Sequence, residues 1–107
     1  MNFVFDIDGT LCFDGKTIDH TIINALTTLR EEGHHVIFAS ARPIRDLLPV
    51  LPATFQMHPL VGGNGCFTSQ NGIITTTTFS ADVLNALKHI IDTYKLTYLA
   101  DGKWDYA

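Results

Sequence analysis

With 107 residues, 46% of them hydrophobic, and a formal net charge of -4, the chain is one small domain or part of a larger one, and not a disordered tail. It has no basic cluster, which argues against a duplex nucleic-acid binder, although one loop of an acidic protein can still hold a small phosphorylated ligand. No signal-peptide pattern opens the chain, no apolar run nears the roughly 18 residues of a membrane span, and Cys12 and Cys66 read as reduced thiols in a cytoplasmic protein.

The predicted elements begin with a strand over residues 2–7, an apolar run that ends in Asp6-Ile7-Asp8 before Gly9-Thr10 turns the chain. Residues 12–18 form a polar loop with Asp14-Gly15 as a turn signal. Asp19 or Thr17 caps a helix whose Ile22, Ile23, Leu26 and Leu29 share one face, and Gly33 ends it. A second strand runs from His35 to Ser40, completing a βαβ crossover and hence a parallel pair. Pro43 opens a helix with Ile44, Leu47, Leu48 and Leu51 on its apolar face, kept short by Pro49 and Pro52. A third strand is expected from His58 to Val61. A hairpin then follows, residues 66–68 and 73–76 around Asn71-Gly72. Ser80 or Asp82 caps a last helix, which buries Val83, Leu84, Leu87, Ile90 and Ile91, and Leu96–Leu99 reads as a final strand.

Asp6 and Asp8 carry the strongest chemical signal. Residues i and i+2 of an extended backbone point to one side, and open α/β sheets bind ligands beyond the carboxyl ends of their strands. Three outcomes are open for such a pair: Mg2+ ligands, a nucleophile beside a general acid/base, or solvated turn residues. Ser40 ends the second strand as Asp6 ends the first, so its hydroxyl either meets a phosphate oxygen or caps the helix at Pro43. Arg42 either assists an anion or packs in solvent. His34-His35 reads as solvated or capping, Cys12 as an inert thiol or a redox-sensitive one, and Trp104 and Tyr106 as packing or substrate contacts.

Taken together, Phe5-Asp6-Ile7-Asp8-Gly9-Thr10-Leu11, Lys16-Thr17-Ile18, Val36–Pro43 and Asn64-Gly65 resemble the phosphatases of the haloacid-dehalogenase superfamily, Cof-type branch (subfamily IIB), which act on sugar phosphates and similar metabolites. The resemblance implies a Rossmann-like parallel sheet with flanking helices, residues 1–76 being the N-terminal half of the core and 77–107 the start of an α+β cap. It implies that Asp6 attacks phosphorus and that Asp8 protonates the leaving oxygen and then activates water. Mg2+ would sit on the Asp6 carboxylate and the Asp8 main-chain carbonyl. Thr10 would position Asp8 and, with Ser40 and Arg42, serve the phosphoryl group.

Gly62-Gly63 stands before Asn64 where the family carries bulkier residues, which would loosen that turn. The family's later lysine and acidic Gly-Asp motif have no counterpart in Lys16, Lys88, Lys95, Lys103 or Asp101-Gly102. The chain therefore reads as an N-terminal portion. Its first strand would expose an edge for a homodimer partner or a complementary C-terminal fragment. The alternative function is a non-catalytic remnant or interaction module with the same fold. A receiver-type phosphoacceptor is disfavoured by the order Asp-x-Asp-Gly-Thr.

Overall fold

A computed structural model describes residues 1–104; Tyr106 lies outside the described residues. The chain begins with β1 (Asn2–Asp6), α1 (His20–Glu31) and β2 (His35–Ala39). The two strands run parallel, in register from Asn2 against His35 to Asp6 against Ala39. β1 stops one residue earlier than expected because Ile7 turns into the core, and its carbonyl accepts from the amides of Thr10, Leu11 and Cys12 at 3.2, 2.9 and 2.9 Å.

The cap of α1 is Asp19, whose Oδ1 accepts from the Thr21 amide at 2.8 Å; Thr17 turns instead to Asp14. Leu26 is buried, and Ile22, Ile23 and Leu29 pack against the core, as the helical spacing predicts. At the other end Gly33, at φ +85°, donates to the Arg30 carbonyl and His34 to that of Leu29, the paired bonds of a Schellman stop. Open space surrounds the position a Gly33 Cβ would take. Gly33→Ala should therefore cost only the left-handed backbone penalty, about 1 kcal/mol, read from the shift of a urea midpoint.

After β2 come α2 (Ile44–Leu47) and two 3₁₀ turns, Leu48–Val50 and Ala53–Phe55, so the prolines do keep this helix short. β3 (Leu60–Gly62) lies parallel to β2, pairing Phe38 with Leu60 and Ala39 with Val61. It starts later than the expected His58 because that residue's amide donates to the Phe55 carbonyl at 3.1 Å in the preceding turn. β4 (Phe67–Gln70) and β5 (Ile73–Thr76) form the antiparallel hairpin, with Asn71 and Gly72 both at positive φ. The sheet order is β1-β2-β3-β4-β5, a parallel half followed by an antiparallel half. Its core holds Ile7, Val36, Phe38, Ile44, Leu47 and Phe55, all fully buried. Among the described residues β1 pairs only with β2, and Val4 on it is 62% exposed.

The last part of the chain departs from expectation. α3 (Ala81–Tyr94) is capped by Ser80, whose Oγ accepts from the Val83 amide at 3.4 Å, and not by Asp82. None of its residues is buried: Val83, Leu84, Leu87 and Ile90 stay 46, 41, 38 and 45% exposed. Apolar periodicity says which side chains share a face, but not whether a neighbour covers it. Leu96–Leu99 forms no strand; Lys95 ends the helix in the left-handed region at φ 52°, and residues 96–100 carry no regular structure. No described helix is long and apolar enough to cross a membrane.

Candidate active site

The parallel register brings the ends of three strands together. Asp6 stands opposite Ala39, and Ala39 opposite Val61, so the residues just beyond them share one end of the sheet. Ser40 follows Ala39, only 8% exposed, with its amide donating to the Val61 carbonyl at 2.8 Å. Its Oγ accepts from the Arg42 amide at 3.1 Å and keeps its own proton to donate. α2 itself begins after Pro43 with no side-chain cap, so Ser40 orders the loop and not the helix end.

The turn after β3 closes this end tightly. Gly63 donates to the Arg42 carbonyl at 2.8 Å and Asn64 to that of Ser40 at 3.3 Å. A Cβ on Gly62 would stand 2.8 Å from the Arg42 carbonyl oxygen, and one on Gly63 2.5 Å from the Phe67 ring. The glycine pair thus permits close packing instead of the looseness expected of it.

Asp8 and Arg42 form a bidentate ion pair: Nε donates to Oδ2 at 2.7 Å and Nη2 to Oδ1 at 2.6 Å. Nη2 also donates to the Gly15 carbonyl at 3.0 Å and Nη1 to that of Asp46 at 3.4 Å. Arg42 therefore ties the loop after β1 to α2, and its fork faces Asp8. Those hydrogen bonds hold the Asp8 carboxyl below the ordinary carboxylate range, against an opposing desolvation and with the guanidinium charge adding to them. The pair's contribution to stability is thus present above Asp8's unfolded pKa and is lost as pH falls through the lower folded value. A carboxyl-detected NMR titration should place the Asp8 midpoint below that of a free aspartate. Arg42→Ala should move it upward; an unmoved midpoint would contradict the pairing.

The Thr10 hydroxyl donates to Asp6 Oδ2 at a long 3.4 Å and not to Asp8. Asp14, read from sequence only as part of a turn, organises the loop. Its Oδ1 accepts from the amides of Lys16 and Thr17, both at 2.8 Å, and its Oδ2 from the Thr17 hydroxyl at 3.0 Å. These bonds hold its carboxyl far below the ordinary range. Aspartate followed by polar residues two and three positions on was the available signal. Cys12 is buried, with Sγ 3.5 Å from Asp14 Oδ1, which suits an inert thiol.

The donor chemistry at the end of β1 suits a hard cation. The Asp6 carboxylate has only the long Thr10 contact, and the Asp8 carbonyl accepts no hydrogen bond among the described residues. No group of three or more His, Cys, Asp or Glu side chains among them could hold a metal by itself. Further oxygen ligands would have to come from water, substrate or elsewhere.

A cleft of about 1060 Å³ opens beside this end of the sheet, between Ala41, Gly63 and Asn64 on one side and α3 with Tyr98–Lys103 on the other. Lys88 and Lys103 line it with apolar side chains. The Trp104 carbonyl, not its indole, makes the described polar contact of that residue, accepting from Arg45 Nη1 at 2.6 Å. His34 and His35 lie away from the cleft, on a hollow of about 230 Å³ shared with Arg30, Met57 and His58.

A sheet of this order, with an acidic pair and a serine beyond its parallel strands, places the chain among α/β proteins that keep their chemistry in the loops at the strand ends. Residues 3–105 match the family model described as haloacid dehalogenase-like hydrolase, and the chain belongs to that family. It is 34% identical over 62 residues to the 5-amino-6-(5-phospho-D-ribitylamino)uracil phosphatase YitU of Bacillus subtilis, a match covering 58% of this chain and 23% of that protein. Its fold is that of a phosphatase of the haloalkanoate superfamily from Bacteroides thetaiotaomicron, at TM-score 0.82 and 17% identity over 98% of this chain and 40% of the other. It is also that of a haloacid dehalogenase-like hydrolase from B. subtilis, at TM-score 0.75 and 17% identity over 88% of this chain and 34% of the other. The chain thus spans well under half the length of each.

Proposed function

We propose that this chain carries the nucleophile-bearing part of a Mg2+-dependent, Cof-type phosphatase that acts on small phosphorylated metabolites in the cytoplasm. The observation that carries the reading is the juxtaposition of Asp6 and the nearly buried Ser40 at the ends of paired parallel strands, with Asp8 two residues on. The free thiols Cys12 and Cys66 suit the compartment, and the likeness to a phosphatase named for a phosphorylated ribityl compound suits the substrate class. Residues 1–76, where the sheet ends, would be core, and residues 77–107 the start of a cap.

In this reading an Asp6 carboxylate oxygen attacks phosphorus, the bond to the leaving oxygen breaks, and Asp8 gives that oxygen its proton. Water then attacks the phosphorus of the aspartyl-phosphate while Asp8 takes a proton back, so inorganic phosphate leaves and Asp6 is regenerated. Ser40 donates its hydroxyl proton to a phosphoryl oxygen. The Asp6 carboxylate and the Asp8 carbonyl would hold Mg2+, which when bound neutralises charge on the phosphoryl oxygens. For Asp8 to act first as an acid, Arg42 must release it. An entering phosphate offers the guanidinium the same paired oxygens, so Arg42 can move from carboxylate to substrate.

A second reading, an interaction module without turnover, is favoured by the exposed apolar face of α3 and by the side of β1 that pairs with no strand among the described residues. Either surface would take a second copy or a complementary C-terminal fragment. Release of inorganic phosphate from an aryl phosphate and a panel of sugar phosphates, with and without Mg2+, separates the readings. Turnover abolished by chelation supports the enzyme. No turnover on any substrate, with a discrete dimer in light scattering, supports the module.

A further inference from the structure

We propose that Arg45 is a positioning residue that straps residues 98–104 across the cleft beside Ser40 and Arg42. Arg45 stands on α2, part of the core, and its side chain is 20% exposed. Its neighbour fixes the guanidinium plane: Nε and Nη2 donate to the two Asp46 carboxylate oxygens at 3.0 and 3.1 Å. The same group reaches residues 101–104, Nη1 donating to the Trp104 carbonyl at 2.6 Å and Nη2 standing 3.5 Å from Oδ1 of Asp101, which lines the cleft. The ion pair and hydrogen bond therefore join a core helix to a segment 59 residues further along the chain.

Among the described residues, little regular structure holds the strap. Residues 96–100 carry no regular structure, and Leu96, Tyr98 and Leu99 are 49, 62 and 68% exposed. α3, which delivers the strap, buries none of its own residues, so helix packing does not fix where the strap goes. Tyr98 to Lys103 nonetheless form one wall of the cleft whose opposite wall includes Ala41 and Asn64. By holding Asp101 and the Trp104 carbonyl, Arg45 thus sets where that wall stands relative to the core helix. It does so by charge-assisted bonds instead of apolar burial, so the wall is held most firmly at low salt. This goes beyond the phosphatase reading, and its test needs no substrate.

Limited chymotryptic cleavage of the full chain under native conditions, with the cuts after Tyr98, Leu99 and Trp104 identified by mass spectrometry, is the measurement. Arg45→Ala should speed cleavage within 96–104 by roughly tenfold while β1 and β2 stay uncut. Arg45→Lys should restore the strap only in part, because one ammonium cannot hold Asp46, Asp101 and the Trp104 carbonyl together. Asp101→Asn removes one half of the ion pair without touching the buried core, and should give a smaller acceleration confined to the same segment. Cleavage within 96–104 that is unchanged in both Arg45→Ala and Asp101→Asn overturns the proposal. Acceleration spread evenly over the chain in Asp101→Asn overturns it equally.

Discussion

On the proposed phosphatase reading, asparagine at position 6 should lower the turnover of phosphate monoesters by about a thousandfold or more, with folding unchanged. The substitution keeps the size and shape of the side chain and an oxygen for the Thr10 hydroxyl, but the neutral amide is a poor nucleophile. It also gives up the negative charge proposed to hold Mg2+. Asp6 is exposed at the strand end, so the melting temperature should barely move. Steady-state phosphate release, read beside a thermal melt, distinguishes lost chemistry from lost structure. Acid-quenched protein should carry alkali-labile phosphate in the parent chain and none in Asp6→Asn. Undiminished turnover in the variant would place the nucleophile elsewhere and remove the role assigned to β1.

The residues behind that prediction were legible because their signals are local. An apolar run ending in Asp6-Ile7-Asp8, a second ending in Ser40, and the Asn71-Gly72 turn each write their conformation within a few neighbours. The parallel register then followed from the crossover helix, and with it the meeting of Asp6 and Ser40. The ion pair between Asp8 and Arg42 spans 34 residues, and no spacing rule announces which carboxylate an arginine will choose. Arg45 and the strap are further apart still. The face of α3 was read correctly as a face, yet its burial belongs to a neighbour and not to the helix. Gly62-Gly63 misled for a related reason: two glycines predict freedom, whereas here they admit a carbonyl and an aromatic ring at close range.

That close range sets the expected cost of Gly63→Ala at about 2–4 kcal/mol, several times that of Gly33→Ala. Both glycines have positive φ, +56° and +85°, so both substitutions meet the same backbone penalty. Only at Gly63 does the new methyl meet a wall, with Phe67 Cδ2 at 2.5 Å and Cε2 at 2.6 Å. The Phe67 ring is 3% exposed, packed in the core and bordering the cleft, so moving it forfeits packing. The other relief is through the backbone, at the Gly63 bond to Arg42 and the Asn64 bond to Ser40, which fix the loop at the candidate site. Phe67→Leu shortens the side chain and should absorb the methyl. In that background Gly63→Ala should fall back to about 1 kcal/mol, leaving a coupling of about 1–3 kcal/mol in a urea-denaturation cycle. Additive costs would mean that the ring does not limit the turn. Equal costs for the two glycine substitutions would mean that backbone strain alone accounts for both.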